Sequence, residues 1–198
     1  MLGALLDTCV LWPSLQRDFL LSLAVEGIYR PLWSAAVLEE LAEHETQKLV
    51  RRGEEPAQAA VRTRHLLEQM RRRFNDAEVQ GWEGLEGTFG LPDPDDEHVV
   101  AAAVVGGAGA IVTHNMDDFP ADRMPAGLKV LQPAVFAYHT VALDPASALR
   151  AVEQIAARSG QRGHSWTPAE VLDLLVARYR MDDVVNVIRL ALKTSSGR

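Results

Sequence analysis

Acidic side chains recur in this 198-residue chain where a short apolar run ends or a helix is about to start. Asp7 closes the run Gly3-Ala4-Leu5-Leu6, and Asp93, Asp95 and Asp96 precede an apolar stretch centred on Val99 and Val100. Asn115, Asp117 and Asp118 follow the run Ala110 to Thr113, while Glu39 and Glu40 sit one to two turns into a segment opened by Ser34. Carboxylates about 4 Å apart repel by roughly 1 kcal/mol in water, and by about 4 kcal/mol at an effective dielectric of about 20. Several brought together would protonate or splay unless a cation balanced them. Hard cations such as Mg²⁺ and Mn²⁺ take oxygen ligands and bind phosphate oxygens as well. Acids so arranged suit metal-assisted phosphodiester hydrolysis, in which the ion deprotonates a water and offsets charge on the phosphate.

For these acids to meet, the elements carrying them must end at one edge, the place where open parallel sheets bind ligands. Gly3 to Leu6 reads as a first strand, Pro13 to Glu26 as a helix and Ile28 to Trp33 as a second strand. Ser34 is a good helix cap, opening a helix to about Val50; Pro56 opens another to about Phe74. Ala77 to Gln80 is expected as a third strand, followed by a Gly-, Pro- and acid-rich loop over Gly81 to Pro94. A helix from Asp95 or Asp96 to Gly106, a strand at Ala110 to Thr113 and a strand at Leu128 to Leu131 complete the alternation, with a short helix at Pro133 to Tyr138. Strands separated by helices imply an α/β fold with right-handed crossovers and a parallel sheet, here of five strands. Beyond His139 no strand is expected. Helices from Asp144-Pro145 to Arg158, from Thr167-Pro168 to Tyr179 and from Asp182 to Leu192, with a polar linker over Gln161 to Thr167, form a small C-terminal helical appendage. The expected division is therefore 1–139 and 140–198.

The bulk numbers exclude several classes. Apolar residues at 47% and charged residues at 24% are the balance of a soluble globular protein. No apolar run approaches the roughly 18 residues needed to span a bilayer. The start reaches Asp7 too soon, and lacks the basic leader, to read as a signal peptide. The single cysteine, Cys9, leaves no internal disulfide and fits a reducing cytoplasm. A net charge of −7 argues at first against a nucleic-acid partner. Its distribution argues otherwise. From Lys48 to Arg73 eight basic residues face three acids, a net of +5, leaving −12 on the remainder. Arg51, Arg52, Arg62, Arg71 and Arg72 in that segment are candidates for gripping an RNA backbone, against the plainer reading of a solvated helix face.

Four segments taken in order resemble a known family. They are Leu5-Leu6-Asp7-Thr8-Cys9-Val10-Leu11, Ser34-Ala35-Ala36-Val37-Leu38-Glu39-Glu40-Leu41, Asp93-Pro94-Asp95-Asp96-Glu97-His98 with its apolar continuation, and Ile111-Val112-Thr113-His114-Asn115-Met116-Asp117-Asp118. Each is weak alone; in this order and spacing they resemble the motifs of PIN-domain nucleases, and most of all VapC-like toxins of toxin–antitoxin pairs, over about residues 1–139. The resemblance implies a PIN-like three-layer fold with a five-stranded parallel sheet, Mg²⁺ or Mn²⁺ as cofactor, and RNA as substrate. It also implies a homodimer and silencing by an antitoxin protein. By position, Asp7 matches the first metal-ligating acid, Glu40 the second with Glu39 the alternative, and Asp96 the third with Asp93 in support. Asn115 and Asp118 match the fourth motif. Asn115 keeps a hydrogen-bonding oxygen without the charge, which leaves Asp117 or Asp118 to supply it. The expected metal ligands are Asp7, Asp96 and Asp118.

Plainer roles stand beside these. Asp96 and Asp95 can cap a helix, Glu40 can be a solvated helix residue, and Asn115 and Asp118 can brace a turn. Asp7 is the hardest to explain structurally, because an unpaired acid after a buried strand is costly. Thr8 and Thr113 can orient carboxylates or simply pack. His98 and His114 lie beside the acids, where packing or solvation is the commoner fate; Cys9 reads as a small core residue. Trp12, Trp33 and Trp82 can stack on bases, although core or interface burial is commoner. Two rival functions remain: a catalytically weak domain that binds RNA or protein, favoured by Asn115 and the extra helices, and a DNA-directed or flap-type nuclease, for which the expected long helical arch is missing.

Overall fold

In the computed structural model, which describes residues 1–160 and 164–195, the apolar run Gly3–Leu6 is strand β1 and all four of its residues are buried. A short helix α1 (Thr8–Leu11) follows directly; the sequence pattern did not indicate it. Strand β2 (Arg30–Leu32) precedes Ser34, whose extended backbone and side chain cap helix α3 (Ala35–Arg51) by accepting from Val37 N at 3.1 Å. Val37, Leu38, Leu41 and Leu49 give α3 its buried face, and Lys48 and Arg51 in its last turn suit the negative end of the helix dipole. Gly53, at φ +90°, turns the chain into helix α4 (Pro56–Arg73), where Pro56 needs no amide partner at the first position. Ala59, Thr63, Leu67 and Met70 form the buried stripe of α4, and Thr63 meets Thr46 of α3 at 3.0 Å.

Ala77 to Gln80 does not form the expected strand. Only an isolated parallel bridge joins Trp33 and Glu78, because the chain turns away at Gly81 (φ +76°) before a ladder can extend. The sheet therefore has four strands, in the order β2-β1-β3-β4, not five. Strands β3 (Ala110–Val112) and β4 (Lys129–Leu131) complete it. β1 pairs with β3 in parallel, Leu6 opposite Val112, and β3 pairs with β4 in parallel. Helix α5 (Glu97–Val105) packs on β1 and β3 and is buried from Glu97 to Ala103, as a helix apolar on nearly all sides must be. At its end Gly106 admits no side chain: a Cβ there would lie 2.8 Å from Val79 Cγ2 and 3.0 Å from the Ala102 carbonyl.

Contacts group Leu2–Trp12 and Pro31–Leu131 into this sheet-bearing unit. Among the described residues, a second unit consists of helices and the turns between them, apart from Arg30 at the start of β2. It joins α2 (Ser14–Val25) to α6 (Pro133–Leu143), α7 (Pro145–Arg158), α8 (Pro168–Tyr179) and α9 (Asp182–Ser195). A division at 139/140 was expected; by contact, the helical unit also takes in Pro13–Arg30 and begins at Gln132. α6 runs past the expected end at Tyr138 to Leu143, and residues 161–163 of the expected polar linker lie outside the described residues. The core of this unit includes Phe19, Leu23, Phe136, Val152, Ile155, Leu175 and Ile188. Arg150–Glu26 and Arg158–Asp18 ion pairs, each at 2.8 Å, fasten α7 to α2. Among the described residues, no helix is long and apolar enough to cross a membrane.

The start of α7 carries a pH signature. Asp144 accepts from Ser147 N at 3.0 Å and from Ser147 Oγ, and these bonds hold its carboxyl below the ordinary range of 3.8. Asp144→Ala should cost about 1 kcal/mol of stability at neutral pH, the usual worth of such a cap. Because the folded-state value is depressed, the difference should persist above the unfolded value and vanish as pH falls through the folded one. Denaturant titration of both proteins from neutral to acid pH reads this directly.

Candidate active site

The sheet register explains why the site lies where it does. Leu6 and Val112 pair, so the next residues, Asp7 and Thr113, emerge side by side at the carboxyl edge. Thr113 Oγ1 donates to Asp7 Oδ2 at 2.6 Å and accepts from Asn115 N at 3.0 Å. Cys9, projected by α1, donates its thiol to the same Asp7 oxygen at 3.1 Å and accepts from His114 N at 3.2 Å. Burial first, and then the charge of Asp7, push the Cys9 thiol up to about 12, so it stays protonated and acts as a donor. Asp7 is buried, and among the described residues its other oxygen, Oδ1, accepts no hydrogen bond.

Across the cavity, α3 presents Glu40, while its neighbour Glu39 is exposed. Thr8 Oγ1 donates to Glu40 Oε2 at 2.6 Å, and His98 Nε2 lies 3.0 Å from Oε1. The other ring nitrogen of His98 faces Ser34 Oγ at 3.4 Å, so the helix cap also braces this imidazole. Burial alone would neutralise both partners. The hydrogen bond and mutual charge win, lowering Glu40 and raising His98, and His98 and Thr8 between them hold both carboxylate oxygens of Glu40.

Asp96 behaves differently. It ends a 3₁₀ turn (Pro94–Asp96) capped by Asp93, and no hydrogen bond reaches its carboxylate among the described residues. Half-burial and then the charges of Asp7, Asp118 and Asp93 raise it to about 6, with His98 partly opposing them. The adjoining Glu97 is buried and structural. Burial would raise its carboxyl, but backbone amides of Leu91 and Phe89, at 2.9 and 3.0 Å, and of Gly90 and Gly87, lower it instead and anchor the Gly-rich loop before α5.

Asp7, Glu40, Asp96 and Asn115 thus line one cavity of about 450 Å³, together with Thr8, Cys9, Trp12, His44, Gln47 and Arg51. Asp118 is half-buried, makes its charge felt at Asp96 and does not line the cavity. Of the five candidate arginines, Arg51 alone lines it. Arg62 is drawn to Glu54 and Arg71 to Glu78, each at 2.7 Å; Arg72 borders a different recess with His65 and Gln69, and Arg52 is exposed. The His98–Glu40 pair, and the series in which His44 and Gln47 join Glu40 to the candidate Arg51, are the features that sequence reasoning left unassigned. The series carries a signal: its members follow Glu40 at four, seven and eleven residues, one helical face.

The donor set suits a hard divalent cation. It consists of oxygen ligands, with one Asp7 oxygen restrained, the other lacking a partner, and an Asp96 whose charge is opposed by its neighbours. No trio of His, Cys, Asp or Glu side chains is set closely enough to hold a metal by itself among the described residues.

A family model described as PIN domain matches residues 3–117, more than half of the chain. This chain belongs to the PIN-domain family. No curated protein and no solved structure gives a significant match. PIN domains are generally nucleases and typically use divalent metal ions. The matched span includes Asp7, Glu40, Asp96 and Asn115 and stops one residue before Asp118.

The raised Asp96 has a consequence for stability. An acid whose folded value lies above 3.8 opposes folding above that value, fully so beyond about 6. In chelator at pH about 7.5, Asp96→Asn should therefore stabilise the metal-free PIN protein, by about 1 kcal/mol or less because this half-exposed group is screened by solvent. The gain should shrink as pH falls through 6 towards 4. Thermal melts across that range would show it, and a destabilised variant at pH about 7.5 would contradict the repulsion.

Proposed function

We propose that this PIN domain is a metal-dependent endoribonuclease, and that it serves as the toxin of a toxin–antitoxin pair in the cytoplasm. The observation that carries the nuclease reading is the cavity in which a restrained Asp7, an Asp96 opposed by neighbouring charge and a clamped Glu40 face one another. Asp7 and Asp96 would hold Mg²⁺ or Mn²⁺, with Asp118 contributing charge from beside them. A bound divalent ion would lower the pKa of a water and offset charge developing on the scissile phosphate. Thr113 and Cys9 fix the rotamer of Asp7, so that one oxygen is committed to the protein and the other is presented to the cavity. Glu40, with both oxygens occupied by Thr8 and His98, is better placed to shape the wall and orient water than to move freely. Asn115, its backbone fixed on Thr113, supplies an amide at the rim. Arg51 would meet the RNA backbone, with Arg52, Arg62, Arg71 and Arg72 adding longer-range attraction.

The toxin reading, with an antitoxin partner and a homodimer, is supported by the resemblance of the four motifs to VapC-like proteins. A catalytically weak RNA-binding or interaction module is the second reading, favoured by Asn115 where an acid would add a further charge.

Asp7→Asn and Asp96→Asn should each abolish Mn²⁺-dependent cleavage of RNA, a fall of at least about 100-fold, as expected when charge at a metal-binding carboxylate is removed. Circular dichroism should show both variants folded. Wild-type cleavage rates in both would sink the nuclease proposal. RNA binding by the native chain without cleavage in Mg²⁺ or Mn²⁺ would favour the second reading.

A further inference from the structure

Three of the chain's tryptophans stood as candidates for base stacking, and the structure separates them. Trp33 and Trp82 are buried at 0% and 7% exposure, Trp33 edge-on to Phe74. Trp12 is 39% exposed and lines the acidic cavity itself. It closes α1, immediately beyond the helix that carries Thr8 and Cys9, so its position is tied to the same backbone that presents Asp7.

The ring is held from the side of α3. Lys48 Nζ lies 6.0 Å from its centroid, donates to the Trp12 carbonyl at 3.4 Å and is itself paired with Glu45. His44 is tilted at 53° to the ring with centroids 6.1 Å apart. An amphipathic indole left partly in water, yet fixed by a cation and an imidazole, offers a preformed aromatic face. Along the same face of α3, Glu40, His44, Gln47 and Arg51 run from the acid wall to a cation, about 16 Å along the helix axis. Gln47 links the series: it donates to Glu43 at 3.0 Å and accepts from Arg51 Nη2 at 3.1 Å, which steadies the guanidinium among the residues that line the cavity.

We propose that Trp12 is the stacking platform for an unpaired nucleobase next to the scissile bond, with Arg51 taking a phosphate of the same strand. The placement beside a scissile bond rests on the nuclease reading; the binding site does not. An aromatic face next to a cation is how proteins hold single strands without strict sequence preference, since every base has a face to stack. A base inside a duplex has both faces covered. The subsite therefore selects RNA in which a nucleotide is unpaired, as a single strand, loop or bulge.

The full-length protein would be titrated by fluorescence anisotropy, in EDTA, with a labelled single-stranded RNA, with the same RNA carrying one abasic residue at each position in turn, and with a blunt RNA duplex. Trp12→Ala should weaken single-strand binding about tenfold, the worth of one base–aromatic stack, while Trp12→Phe stays within about threefold and duplex binding is unchanged. One abasic position should weaken binding to the native protein about tenfold and have no further effect on Trp12→Ala. The abasic series on the native chain needs no variant, so a misfolded Trp12→Ala would not shield the idea. A flat abasic series, or equal losses of single strand and duplex in Trp12→Ala, would overturn the subsite. Absence of cleavage in Mg²⁺ and Mn²⁺ together with Trp12-dependent binding would remove the nuclease reading and support the subsite. Metal-dependent cleavage with unaltered binding by Trp12→Ala would do the reverse.

Discussion

Because Leu6 and Val112 are partners in a parallel ladder, Asp7 and Thr113 leave the sheet at the same height, and everything at the cavity follows from that adjacency. A shift of one residue would send the acid to the opposite face of the pleat and break the 2.6 Å contact. The register is itself secured by burial: every residue of β1 and β3 is buried, and α5 lies across both strands. Hydrophobic packing thus sets the placement of a charge. Thr113 then carries the constraint outward, because its hydroxyl donates to Asp7 and accepts from the Asn115 amide. The fourth motif is tied to the first through this hydroxyl and through the Cys9 sulfur, which accepts from His114 N.

Around this anchor the carboxylates are treated unequally. Glu40 and Glu97 have donors for both oxygens and sit below their ordinary range; Asp96 has no donor and sits at about 6. The difference tracks position. Glu97 turns into the protein and finds backbone amides, Glu40 is met by Thr8 and His98, and Asp96 faces Asp7, Asp118 and Asp93. A carboxylate left in repulsion beside acids that have found donors is the electrostatic feature on which the proposed metal site rests. The Asn at 115 fits this electrostatic picture: a further full charge on that rim would add to the load on Asp96.

What could be read in the sequence was whatever local chemistry decides alone. The strand ending at Asp7, the Ser34 cap, the paired helices over the basic segment and the C-terminal helices each follow from a nearby cap, turn or apolar period. The predicted strand at Ala77 to Gln80 failed because strand formation is decided by partners: its one bridge residue meets the end of β2, and Gly81 then turns the chain. Likewise α1 is a single turn with no period to detect. The choice between Glu39 and Glu40 depends on which side of α3 faces Thr8 and His98, contacts spanning 32 and 58 positions that no local pattern encodes. The grouping of α2 with α6 to α9 is a long-range fact of the same kind.

The charge balance illustrates how a bulk property conceals a local one. A chain at −7 is a poor match for a polyanion, and its +5 segment from Lys48 to Arg73 is the one stretch that runs against that balance. The structure divides that segment more finely. Arg62 and Arg71 are paired with Glu54 and Glu78, and no arginine of α4 lines the acidic cavity. What reaches the cavity is Arg51, carried there because it lies eleven residues from Glu40 and so on the same face of α3. One helix thereby presents acid, imidazole, amide and guanidinium in sequence, with the Trp12 ring beside the imidazole. Were a nucleic acid to bind at this surface, it would meet Arg51 at the far end of a face that begins with Glu40, and a basic chain overall would not be required.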